Sequence, residues 1–144
     1  MRQNLKAYKK VNIDSGILES NPHQIIVMMF DGALQSLSIS KGAIERKDFE
    51  LKSQAITKFV NIVSALRAAL DFDVEPEISQ RFDDLYAYCI DRVLEASLAL
   101  DVEMVTEVNG LLKPLRDAWA EIPEESKQEG LTLLNEKNKL AEGA

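Results

Sequence analysis

A single cysteine, a single histidine and a single tryptophan are all this 144-residue chain offers of three side-chain types that often carry chemistry or bind partners. One thiol, Cys89, makes no internal disulfide and no Cys-x-x-Cys pair, and its place on an apolar helical face reads as a small buried hydrophobe. With one imidazole, His23, a zinc site is short of ligands, and the Glu-x-x-His pairs that build di-metal centres inside helical bundles are absent. There is no glycine-rich phosphate loop. No apolar run approaches the ~20 residues of a membrane span, so membrane insertion is not expected. Basic residues are in deficit, 17 against 24 acidic, for a formal charge of −7; nucleic acid is therefore not an expected partner, since phosphate binding needs a basic patch. The acids suggest no metal site. Asp83 and Asp84 are adjacent and read as a solvated helix face, while Asp71, Asp73, Glu75 and Glu77 alternate without the central glycine of an EF-hand. The expectation is a non-enzymatic chain with no metal and no cofactor. Arg2, Lys6, Lys9 and Lys10 near the start are not followed by a continuous apolar block, so no secretory leader is read and a cytoplasmic location is expected.

What the chain does have is apolar periodicity. Asn21 to Leu34 reads NPHQIIVMMFDGAL: Asn21 suits an N-cap, Pro22 the first helical position, and Gln24 the far side of a capping box. The six apolar residues from Ile25 to Phe30 cover every face of a helix for nearly two turns, so this helix must be covered on more than one side. It should run to about Glu45, with Ile26, Phe30, Ala33, Leu37 and Ile44 on one face. Gly32 costs roughly 1 kcal/mol relative to Ala in a helix interior, which predicts close approach by another backbone. A short turn at Arg46-Lys47-Asp48 predicts an antiparallel second helix, about 49 to 70, with the seam Ile56, Phe59, Val63, Leu66 and Leu70.

The third helix, about 76 to 100, starts with Pro76. One side carries Ile78, Phe82, Leu85, Cys89, Val93, Ala96 and Leu100, and a second row holds Tyr86, Ile90, Leu94 and Leu98. Together these rows exceed the stripe of about 100° that a bundle helix buries, so the helix is either central or lines a groove. Asp101 can cap a fourth helix through Val105, Val108, Leu112, Leu115 and Trp119, in which Pro114 predicts a kink near Gly110. The fold expected is all-α: an antiparallel up-down four-helix bundle over residues 21–122. An N-terminal strap or short helix over 1–20 precedes it, and a polar tail over 123–144 follows, with a marginal helix at about 126–140.

These fragments, in this order and spacing, resemble the flagellar export chaperones of the FliS family over about residues 7 to 120. The resemblance rests on Ala7-Tyr8; Pro22-His23, the apolar block and Asp31-Gly32-Ala33-Leu34; Leu66-Arg67 with Leu70-Asp71; Leu85-Tyr86 with Tyr88; and Leu111-Leu112 with Leu115-Arg116-Asp117-Ala118-Trp119. Asn21 stands where that family usually has Ser, which keeps the cap, and Phe30 where Tyr is common. The resemblance implies a bundle that binds the disordered C-terminal segment of flagellin, prevents premature polymerisation and engages the export gate and regulatory proteins. Surplus apolar rows are what such a client needs for inter-helix grooves. The residues expected to line them are Ile62, Tyr86, Ile90, Leu94, Met104 and Leu111, outside the main seams, with Tyr8 and Val11 in the strap.

A four-helix bundle with one histidine also describes a histidine phosphotransfer domain, which makes phosphorylation of His23 the alternative. Such sites place the histidine mid-helix beside a lysine and a glycine. His23 instead occupies a first turn followed by Gln24-Ile25-Ile26, where a ring that covers the helix end is the simpler reading.

Overall fold

The structure, a computed structural model, describes residues 21–122. The expected strap and tail lie outside the described residues. Four helices account for nearly all of this span: α1 Pro22–Arg46, α2 Phe49–Ala68, α3 Pro76–Ala99 and α4 Val102–Ala120. Among the described residues there are no strands.

Local chemistry sets the ends of the helices. Asn21 Oδ1 accepts the N–H of Gln24 at 3.2 Å, and the Gln24 side chain meets the Asn21 side-chain amide at 3.5 Å instead of closing a capping box on the backbone. Asp48 caps α2 by accepting from Leu51 N at 3.1 Å, and Asp101 caps α4 by accepting from Glu103 N at 2.9 Å. Helices α1 and α3 both stop on a residue in the left-handed region, Lys47 at φ 59° and Leu100 at φ 54°. At both ends the next residue, Asp48 or Asp101, donates its N–H back to Ala43 O or Ala96 O, so the last carbonyls are satisfied although neither left-handed residue is glycine.

Each helix runs antiparallel to the next. Arg67, near the end of α2, pairs with Asp83 near the start of α3, while Lys52, near the start of α2, donates to Ser97 O near the end of α3. Helix α4 closes the bundle against α1, with Arg116 on Asp31. The core is one cluster in which Phe30, Phe59, Val63, Cys89, Val93, Val108 and Leu112 are fully buried.

Buried among the apolar side chains of α1 are Gly32, Ser36 and Ser40. Both serine hydroxyls bond back to a carbonyl four residues earlier, Ser36 Oγ to Gly32 O at 2.9 Å and Ser40 Oγ to Ser36 O at 2.7 Å. They are thus buried with their hydrogen bonds made, at little cost to the core.

Several sequence expectations shift. In the α1 block Ile25, Met29 and Phe30 are buried while Ile26 is only partly so, and Ile78 and Leu100 are exposed where a core row was expected. On α3 the buried line is Ser79, Tyr86, Cys89, Val93 and Ala96. Helix α4 runs on through Pro114 to Ala120. Pro114 and Gly110 are both exposed, so the carbonyl that loses its hydrogen bond lies where water can reach it, and the helix need not break. Asp83 is no free solvated acid, since Arg67 grips both its oxygens, at 2.8 and 3.2 Å.

Candidate functional site

Helix α3 meets its two neighbours in different ways, and the difference marks out a surface. On the α4 side a polar clasp closes the seam. Arg92 Nε donates to Glu107 Oε1 at 3.0 Å, the Tyr88 hydroxyl donates to Glu107 Oε2, and Arg92 also reaches Glu95 at 3.1 Å. The Tyr88 hydroxyl and then Arg92 hold the Glu107 carboxyl below the usual carboxylate range. Met104 and Leu111, three residues before and four after Glu107, share its side of α4 and are partly buried against the core.

On the α2 side, among the described residues, Arg67–Asp83 and Lys52 to Ser97 O, the latter at 3.0 Å, place the polar contacts at the two ends of the seam. Between them the seam is apolar: Val60 of α2 and Ile90 of α3 are partly buried against the core. The four-residue row then climbs out of the bundle, through Leu94 at 44% exposed to Leu98 at 90%. Phe49, at the start of α2, is also exposed, with the Lys52 ammonium 5.4 Å from its ring centre. Lys52 therefore joins the end of the leucine row to an exposed aromatic ring.

Of the expected groove residues, then, Ile90 and Leu94 lie on the α2 side of α3, and Met104 and Leu111 lie on α4 beside the clasp. Ile62 and Tyr86 belong to the buried cluster. Tyr86 packs its ring 6.4 Å from that of Phe30 and 6.0 Å from that of Phe82, and burial raises its hydroxyl to a pKa of about 12. Tyr86 is thus the buried member of the second apolar row on α3, while Ile78 of the first row is exposed. Tyr8 and Val11 lie outside the described residues. Leu98 and Phe49, both exposed, are not among the residues expected from the sequence to line a groove. Leu98 ends the second apolar row, and the signal that could have found it was that this row runs on past Leu94.

Cys89 is wholly buried and burial lifts its thiol to about 11, so it is protonated at neutral pH and is no nucleophile. His23 occupies the first turn of α1 with its ring against Trp119, the helix-end arrangement expected of it. No group of three His, Cys, Asp or Glu among the described residues is placed to hold a metal ion. No helix among them is long and apolar enough to cross a membrane.

Comparison with known proteins agrees with this geometry. The family model described as flagellar protein FliS matches residues 3–126. The flagellar secretion chaperone FliS of Salmonella typhimurium is 39% identical over 127 residues, covering 87% of this chain and 94% of that protein. FliS of Vibrio cholerae is 30% identical over 125 residues, with 87% and 92% covered, and FliSB of Pseudomonas aeruginosa is 34% identical over 115, with 80% and 91% covered. A match of this extent, over a bundle whose α1 and α4 meet through the residues that carry the likeness, makes the chain a member of the FliS family of flagellar secretion chaperones.

Proposed function

We propose that this chain works in the cytoplasm as an export chaperone for flagellin, holding the disordered C-terminal segment of its client along the outer side of α3 and keeping it unpolymerised until it is passed to the export gate. The observation that carries this reading is the row Ile90, Leu94 and Leu98, which leaves the core step by step and ends almost fully exposed. A helix that only had to hold the bundle together would place polar side chains there. A disordered client pays an ordering cost when it binds and recovers it by burying apolar side chains along a preformed surface. Met104 and Leu111 extend the contact to α4, Tyr8 and Val11 contribute from the strap, and Ile62 and Tyr86 support the surface from beneath. Regulatory proteins of flagellar assembly are further partners.

Calorimetric titration of the full chain with a synthetic flagellin C-terminal peptide tests this reading. Binding with a large negative heat-capacity change is expected. Leu94→Asp and Ile90→Asp should weaken it while cooperative thermal unfolding is kept. A peptide that binds those variants as tightly as the parent chain would remove the surface from the proposal.

A further inference from the structure

We infer that the chain carries a second docking surface, at the turn between α2 and α3, for a basic segment of a partner protein that also presents apolar side chains. The turn holds three apolar side chains in the open: Phe72 at 43% exposed, Val74 at 67% and Ile78 at 49%. Interleaved with them are the exposed acids Asp73, Glu75 and Glu77. Glu77 has an ordinary reason to be there, because it lies in the first turn of α3, where the helix dipole favours an acid. That explanation covers neither the three apolar side chains nor Asp73.

The turn is a built one. Asp73 donates its N–H to Asp71 Oδ1 at 3.0 Å, the buried Ser79 gives its hydroxyl to Asp71 O at 2.7 Å, and Arg67–Asp83 fixes the two helices on either side. A partner would meet apolar side chains already held in place, which lowers the ordering cost of binding. This surface is separate from the leucine row. Ile78 and Leu98 lie at opposite ends of α3, roughly 30 Å apart along its axis at the helical rise.

Charge selects the occupant. No lysine or arginine lies between Arg67, engaged by Asp83, and Arg81, so the charges interleaved with these apolar side chains in the turn itself are all acidic. A second copy of this acidic chain would bring the same carboxylates against themselves, and an anionic lipid surface would be repelled. A basic segment is attracted, faster and more tightly at low salt.

Isotope-labelled full-length chain, titrated with an amphipathic lysine/leucine peptide of roughly 18 residues, long enough to be helical when bound, tests the inference. A glutamate/leucine peptide of the same length is the control. The amide signals of residues 71–75, 77 and 78 should move with the lysine/leucine peptide and not with the control. Affinity should fall about tenfold or more in Phe72→Ser/Val74→Ser and in Asp73→Asn/Glu75→Gln/Glu77→Gln, and should weaken as salt is raised. Signal changes confined to the neighbourhood of Leu94, equal binding of the control, unchanged affinity in both variants, or self-association through the turn in sedimentation would each overturn it. The Phe72→Ser/Val74→Ser chain should still bind the flagellin peptide as the parent does, so failure of this surface and failure of the α3 row are told apart.

Discussion

The imidazole of His23 lies against the indole of Trp119, ring centres 5.2 Å apart and planes tilted by 42°. His23 stands in the first turn of α1 and Trp119 is the last residue but one of α4, so this contact closes the bundle where its first and last helices meet. Beside it Arg116 Nε donates to Asp31 Oδ1 at 2.7 Å. That ion pair is open to solvent and screened, so the ring pair should matter more. Trp119→Ala is expected to cost about 2–3 kcal/mol, below the value for a fully buried tryptophan, because the indole is only partly buried. Asp31→Asn should cost clearly less. Urea unfolding followed by circular dichroism compares the two, and equal losses would assign the closure to the ion pair.

Cys89 provides a probe of opening. Its side chain is fully buried in the core and its thiol is raised to about 11. In the folded chain iodoacetamide should react far more slowly than with a free cysteine at pH 8, whose thiol titrates near 8.5. Raising urea through the unfolding midpoint should bring the rate up in step with the unfolded fraction. Rapid labelling in the absence of urea would show that α3 leaves the core locally.

Much of this architecture can be read from the sequence because its signals are local. Asn21, Asp101, Pro22 and Pro76 mark helix starts through chemistry that acts within one turn, and the structure places a helix start at each. The resemblance to the FliS family likewise rests on short fragments in a fixed order. What sequence cannot rank is which of two neighbouring apolar rows faces inward when both are complete. Leu85 and Cys89 run one residue out of step with Tyr86 and Ile90, and Tyr86 is the member of its row that meets Phe30 of α1 in the core. Long-range polar contacts are hidden for the same reason. Nothing near Asp83 or Glu107 announces that Arg67 is 16 residues away, or that Tyr88 and Arg92 reach across from the preceding helix. On α3 the sequence shows the row Tyr86, Ile90, Leu94 and Leu98 but not that its last member is the most exposed.

Acid should loosen the α3 seams. Arg67 holds Asp83 below the ordinary carboxylate range, and Tyr88, then Arg92, do the same for Glu107. A carboxyl depressed in the folded state stabilises fully above its unfolded value, near 4, and that contribution is lost as pH falls through the folded value. The Asp83→Asn/Glu107→Gln double variant should therefore be less stable than the parent chain at pH 7, and the gap should close at pH values below the folded-state titrations. Paired urea titrations at neutral and acid pH measure it. A gap as wide in acid as at neutrality would mean that the carboxylate charges contribute nothing to the seams.

The contrast between Leu112 and Leu98 bears most directly on what the bundle can spare. Leu112 has no exposed surface and belongs to the central cluster, so Leu112→Ala should cost about 3–5 kcal/mol, the loss of a buried side chain plus the cavity it leaves; Phe59→Ala, equally enclosed, should cost a similar amount. Leu98 is 90% exposed and makes little packing to lose, so Leu98→Asp should cost only about 1 kcal/mol, from the weaker helix propensity of Asp and an acid in the last turn of α3. An apolar side chain that contributes so little to its own fold has its apolar area free for another chain. The same Leu98→Asp substitution should then weaken flagellin-peptide binding about tenfold, by burying a carboxylate where the parent buries a leucine. Calorimetric titration beside urea unfolding separates the two effects in one variant. A loss of stability comparable to that of Leu112→Ala would place Leu98 in the core, and intact binding with intact stability would show that the exposed end of the row lies beyond the reach of the client.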